Sequence, residues 1–96
     1  VKYRLTSAAE EEYAESALFY LEESPQAALD FIEIIDAAIE EIAEFPARYP
    51  IYDEEVRVKN LLKFPFSIFY RIERDHVRIL SIYHASRKED QWENRL

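Results

Sequence analysis

Two hydrophobic periods divide the chain. Between residues 7 and 45 apolar side chains recur every three or four positions, and from Val56 onward they recur every two. The clearest stripe is Ala28, Phe31, Ile32, Ile35, Ile39, Ile42 and Phe45, with Glu33, Asp36, Glu40, Glu41 and Glu44 on the remaining faces. This spacing predicts an amphipathic helix that Ser24-Pro25 starts and Pro46 ends. An earlier helix gathers Ala9, Tyr13, Ala17, Tyr20 and Leu21 on one face and finishes near Glu22 or Glu23. Thr6 or Ser7 can cap it, and Ser7 with Glu10 has the capping-box spacing. So few residues separate the two helices that they must form an antiparallel hairpin.

The period-two segments predict strands. Lys2 to Thr6 alternates as a short first strand. A loop through Pro50 and the acidic triplet Asp53-Glu54-Glu55 leads to a second, which starts at Val56-Arg57-Val58-Lys59 and extends toward Leu62. Phe66, Ile68, Tyr70 and Ile72 share one face of the next strand; Ser67, Phe69, Arg71 and Glu73 share the other. Arg74-Asp75 is a turn in which aspartate accepts a left-handed conformation. The last strand places Val77, Ile79, Ser81 and Tyr83 on one side, and Arg78, Leu80, Ile82 and His84 on the other. The expected fold is α+β in the order β-α-α-β-β-β. An N-terminal helical hairpin packs on one face of a small curved, mainly antiparallel sheet. Residues 1–96 make a single domain.

Composition removes several kinds of chemistry. The chain has no cysteine, which excludes disulfides, thiolate catalysis and cysteine-based metal sites, and no glycine, which excludes glycine-rich phosphate loops. With two histidines only, no metal centre and no cofactor is expected. No long apolar run or signal peptide is visible, which points to the cytoplasm and away from a membrane. The formal net charge of -8 hides an asymmetry. Residues 1–55 hold three basic and fifteen acidic side chains, whereas residues 56–96 hold nine basic and five acidic ones. The second half can attract an anionic partner, while the acidic total argues against generic nucleic-acid binding.

Candidate chemistry lies in that second half. Arg57, Lys59 and Lys63 come from the first strand of the meander, Arg71 from the second and Arg78 from the third. Hairpin pairing can gather them into a cationic platform for phosphates or for an acidic protein segment. The alternative is a scatter of solvated cations that offset the acidic helices. Arg87 has the planar fork that holds a carboxylate or phosphate at two points, or it tethers the tail to the sheet. Trp92 anchors the tail or contacts a partner. His84 is of the right type for proton transfer. Cleavage of RNA by its 2'-hydroxyl needs a base, an acid and a cation, and Tyr83, His84 and Arg87 include those types. Tyr83 and His84, however, point to opposite faces of a regular strand. Arg78 lies roughly 20 Å from His84 along such a strand.

The ordered set Ala8-Ala9-Glu10-Glu11-Glu12, Ala28-x-x-Phe31, Phe45-Pro46, Phe64-Pro65-Phe66-Ser67-Ile68-Phe69-Tyr70-Arg71-Ile72 and Val77 through Arg87 resembles the RelE/ParE toxin superfamily of type II toxin-antitoxin systems. The likeness runs from residue 3 to residue 95. It implies the same fold, a cognate antitoxin that silences the toxin, and one of two targets. The ParE-like branch, which includes plasmid stabilisation factors, poisons DNA gyrase by a protein contact without catalysis. The RelE-like branch is a metal-independent endoribonuclease that cleaves messenger RNA, commonly on the ribosome. Phe64-Pro65-Phe66 and the His84-x-x-Arg87 ending resemble the first branch, and the tail Lys88 to Leu96 lacks the basic, tyrosine-bearing end of the second. A non-toxic homologue that retains only antitoxin binding is the third reading.

Overall fold

The computed structural model describes residues 2–85. Helix α1 spans Ser7–Glu23 and α2 spans Pro25–Glu44, joined through Ser24 alone. Ser24 ends the first helix in extended backbone, and its Oγ accepts from the Ala27 N–H to cap the second. Proline at the first position of α2 gives up an N–H that the first turn leaves unpaired anyway. The apolar stripe of α2 is buried as its period requires, with Phe31, Ile35 and Ile42 fully enclosed. Phe45 departs from the stripe. It caps α2 and remains 43% exposed, covered on one side by the Arg48 guanidinium 4.1 Å from its ring centre. On α1, Leu21 also lies outside the expected face and is 49% exposed.

Among the described residues five strands form one sheet in the order β1-β5-β4-β3-β2. They are β1 (Lys2–Leu5), β2 (Ile51–Asp53), β3 (Val56–Asn60), β4 (Phe66–Ile72) and β5 (His76–His84). β1 runs parallel to β5, and every other neighbouring pair is antiparallel. The helical hairpin covers one face. There Phe31, Ile35, Ile39 and Ile42 pack on Phe66, Ile68, Tyr70, Val77, Ile79 and Ile82. A smaller cluster of Val56, Val58, Phe69, Leu80 and Tyr83 lies on the other face.

Four local expectations need correction. Residues 51–53 form a strand where a loop was expected, closed onto β3 by a turn in which Glu54 takes a φ of 49°. Glu54 is the only non-glycine residue with positive φ among those described, so Asp75 turns the β4–β5 hairpin without entering the left-handed region. Next, the first strand stops at Leu5 and Thr6, not Ser7, caps α1. The Thr6 N–H donates to the Ile79 carbonyl, its hydroxyl donates to the Leu80 carbonyl, and its Oγ1 accepts from the Ala9 N–H. A residue held at both sheet and helix leaves no freedom to move the cap one position on. Thr6→Ala is therefore expected to cost about 1–2 kcal/mol, near the upper end for an N-cap, with Thr6→Ser recovering most of it in urea unfolding.

The fourth correction concerns facing. Phe69 pairs with Ser81 but Tyr70 pairs with Ile79, so Leu80 is an extra residue in β5. Such a bulge reverses the alternation beyond it. Leu80 stays on the Arg78 side, away from the helices, as its alternation with Ile79 requires; beyond it Tyr83 also faces away, while Ile82 joins Val77 and Ile79 beneath the helices. Both polar groups at the bulge meet one side chain from α1. The Glu12 carboxylate, 4% exposed, accepts from Ser81 Oγ at 3.0 Å and from the Ile82 N–H at 2.9 Å. β1 has already ended at that level, and Glu12 takes the place of the carbonyl that a longer β1 would offer.

Candidate functional surface

The register fixes which cations share a surface. Arg4 is directly opposite Arg78, and Arg78 is directly opposite Arg71. Their neighbours Val77, Ile79 and Tyr70 point into the core beneath the helices, so the three arginines project from the helix-free face. They make a row across β1, β5 and β4 that spans about 10 Å at the usual strand spacing. Lys2, opposite His76, continues the same face. Like charges directly opposite one another on a sheet are destabilising. Part of that repulsion is offset at Arg71, which lies 3.7 Å from Glu55 and 3.9 Å from Glu73. Arg4 and Arg78 make no ion pair among the described residues. Together with Thr6, Ser7 and His76 they line a shallow pocket. At its margin His76 Nδ1 lies 2.8 Å from Asp75 Oδ1, and that hydrogen bond holds the Asp75 carboxyl below the ordinary carboxylate range.

Further along the same face an aromatic groove opens between Tyr52, Phe69 and Tyr83, floored by Val58 and edged by Asn60, Ser67 and Ala85. Tyr52 and Tyr83 both meet the Phe69 ring edge-on, at 5.1 and 5.9 Å. The surface thus offers a guanidinium row at one end and an apolar cleft at the other. That pairing suits a protein partner with an acidic segment beside aromatic or aliphatic anchors.

The other expected cations are elsewhere. Arg57 and Lys59 alternate with Val56 and Val58 and so turn toward the helices. Arg57 donates to the carbonyls of Tyr49 at 2.7 Å and Ala47 at 3.3 Å. Lys59 lies 3.0 Å from Glu41 and sits over the Tyr49 ring. Tyr49 also donates to Glu41, and the hydrogen bonds from Tyr49 and Lys59 keep that carboxyl below its usual range. These two cations bind the end of α2 and residues 47–49 to β3. Nearby, the Tyr70 hydroxyl donates to the Pro46 carbonyl at 2.5 Å, and its burial pushes the phenol up to about 12. Lys63 is exposed on the β3–β4 loop, beside Leu61 and Leu62 and away from the arginine row. Arg87 and Trp92 lie outside the described residues.

Tyr83 and His84 face opposite sides. Tyr83 meets Phe69 on the open face, whereas His84 stands edge-on to Phe66, ring centres 5.0 Å apart, on the helix side. Two groups that sequence reading passed over are Arg4 and Glu12. Arg4 alternates with Tyr3 and Leu5, so its face was legible, but its neighbours depended on the parallel partner. Glu12 falls between Ala9 and Ser16 at helical spacing, both buried, and that position on the inner face was the available signal.

No helix among the described residues is long and apolar enough to cross a membrane. A comparison with curated proteins finds no relative. Among solved structures, a chain of the chromosomal ParDE TA system from P. aeruginosa superposes with a TM-score of 0.78 at 20% sequence identity, covering 90% of this chain and 97% of that one. The family described as "ParE toxin of type II toxin-antitoxin system, parDE" matches residues 3–89. The chain therefore belongs to the ParE toxin family of type II toxin-antitoxin systems, a membership that implies an antitoxin partner.

Proposed function

We propose that this toxin inhibits DNA gyrase through a protein–protein contact made by the helix-free sheet face, and that its cognate antitoxin neutralises it. The family match carries the reading, and the arginine row is the feature that supports the surface. Arg4, Arg78 and Arg71 stand side by side although cross-strand repulsion opposes them, which is expected where the charges serve a partner. Arg87 and Trp92 remain candidates for the same contact.

The ribonuclease reading has less support. It asks Tyr83, His84 and a cation to converge on one phosphate, yet Tyr83 and His84 turn to opposite faces. Purified toxin, gyrase and supercoiled DNA provide the test. Toxin should accumulate gyrase-dependent DNA cleavage complexes, and the combined Arg4→Ala, Arg71→Ala and Arg78→Ala variant should need at least about tenfold more protein for the same effect, at about 1.4 kcal/mol per tenfold. Messenger cleavage on ribosomes without any gyrase effect would replace this reading with the nuclease one. Antitoxin binding with neither activity would identify a non-toxic homologue.

A further inference from the structure

The shallow pocket where β1, the start of β5 and the first turn of α1 meet is walled mainly by hydrogen-bond donors. Arg4, Thr6, Ser7, His76 and Arg78 surround it, with Leu5 as its apolar member. Arg4 and Arg78 stand directly opposite each other on neighbouring strands, so their backbones are about 5 Å apart. Two guanidinium groups placed that way repel. Arg71, the third member of the row, has Glu55 and Glu73 beside it, whereas Arg4 and Arg78 pair with no acid among the described residues. Even Asp75, at the pocket's margin, is hydrogen bonded to His76 and pairs with neither arginine. Thr6 is fully engaged with the sheet and the helix cap. Ser7 is not: its side chain is exposed, and as the first residue of α1 its N–H has no acceptor within the helix.

The donors select the ligand. A guanidinium presents up to five N–H groups and accepts nothing, so two of them call for a group rich in acceptor oxygens and carrying more than one negative charge. A carboxylate is satisfied by a single fork and leaves the second arginine unmatched. A terminal phosphate brings three oxygens and about -1.5 to -2 charges at neutral pH, enough for both forks and for Ser7. A long polyanion is disfavoured, because the molecule as a whole carries -8. One terminal phosphate meets only the local positive field. The pocket's volume of about 390 Å³ also leaves room for the group to which the phosphate is attached.

We propose that Arg4, Arg78 and Ser7 form a binding site for a terminal phosphate group, which the two guanidinium groups grip from adjacent strands. The site does not depend on the gyrase reading, although its ligand covers two of the three arginines assigned to that contact. The phosphate can come from a free nucleotide or from the end of a nucleic-acid strand, and the two sources are separable.

Thymidine 5′-monophosphate is titrated into the purified toxin at constant ionic strength, with amide NMR shifts as the readout. The shifts should saturate at Arg4, Ser7, His76 and Arg78, with a dissociation constant of about 1 mM or tighter. Arg4→Gln combined with Arg78→Gln should weaken binding at least about tenfold, whereas Lys63→Gln, which removes a cation from the distant β3–β4 loop, should change it by less than about twofold. The nucleotide should raise the urea midpoint of the parent and leave that of the double variant unmoved. Without ligand the double variant should be at least as stable as the parent, since a cross-strand repulsion is gone, so lost binding is not lost folding. A short single strand with a 5′-phosphate is then compared with the same strand ending in a 5′-hydroxyl. A phosphorylated strand that binds more tightly than both the hydroxyl strand and the nucleotide assigns the site to a strand end. A nucleotide that binds as tightly as the phosphorylated strand assigns it to a small phosphate ester. Strands that bind alike and more tightly than the nucleotide would overturn the site, as would shifts that never saturate or an unweakened double variant. Gyrase inhibition by a toxin that binds no phosphate removes this site alone, and phosphate binding by a toxin without effect on gyrase removes only the gyrase reading.

Discussion

Replacing Glu12 with alanine is expected to destabilise the protein by about 3 kcal/mol or more, although the residue is one of three consecutive glutamates. Its carboxylate is buried and accepts both the Ser81 hydroxyl and the Ile82 N–H. Alanine would leave a buried backbone donor and a buried hydroxyl with no acceptor there. Each such orphan costs about 1–3 kcal/mol. Glu12→Gln keeps one acceptor oxygen in the same place and should lose about half as much. Glu10→Ala and Glu11→Ala, at exposed positions, should each stay within about 0.5 kcal/mol of the parent. Urea unfolding of the four proteins checks the ordering. Hydrogen exchange at Ile82 checks the cause, since its amide should be the one most accelerated in Glu12→Ala. A Glu12→Ala protein as stable as Glu11→Ala would show that the carboxylate does not hold the bulge.

The largest loss is expected at Phe31. Its side chain is fully buried and touches four aromatic rings: Tyr20 stacks on it at 5.2 Å, Tyr13 and Phe64 meet it edge-on at 6.0 and 5.9 Å, and Phe66 lies tilted at 5.1 Å. Those rings come from α1, the β3–β4 loop and β4, so one side chain ties both helices to the sheet. Phe31→Ala should cost about 3–5 kcal/mol. Phe31→Leu should cost less, because it fills most of the cavity and loses mainly the ring contacts. For a domain of this size the alanine change is a large share of total stability, so the variant should be substantially unfolded at 37 °C. Circular dichroism and urea titration at 25 °C measure this. A loss under about 1 kcal/mol would mean that the surrounding rings close over the gap.

Much of this architecture could be read from residue order. The helices were legible because their signals agree: the α2 stripe has the right period, and Ser24-Pro25 combines a cap with a first-turn proline. The meander was legible because Phe66, Ile68 and Tyr70 alternate cleanly. β2 was not, since Ile51, Tyr52 and Asp53 are all exposed and carry no alternation to recognise. The bulge was not legible either. Leu80 is as apolar as its neighbours, and only the pairing of both flanking residues with β4 reveals the extra position. That single residue reassigned Tyr83 and Ile82 to the faces opposite those expected.

The site was less legible than the fold for a related reason. Arg71 and Arg78 come from consecutive strands, so a hairpin brings them together by local geometry. Arg4 reaches them through a pairing that spans nearly the whole chain, which no local pattern encodes. Arg57 and Lys59 were misread because a cation on a strand looks alike whichever way it points. Only the position of Val56 and Val58 in the outer cluster shows that their neighbours turn inward.

The parallel contact between β1 and β5 has a consequence for synthesis. Thr6 meets Leu80 across a separation of 74 residues, so the first strand leaves the ribosome long before its only neighbour among the described strands exists. The two helices, and then the β3–β4 hairpin, can form from nearby contacts as they emerge, whereas closure of so distant a pair is slow and comes late. A nascent chain halted before residue 78 has no means of bringing Arg4 beside Arg71, because the strand that separates and aligns them has not been made. Interrupted translation therefore yields fragments without the arginine row, and the surface proposed for the target is complete only when the last described strand is inserted between the first and the fourth.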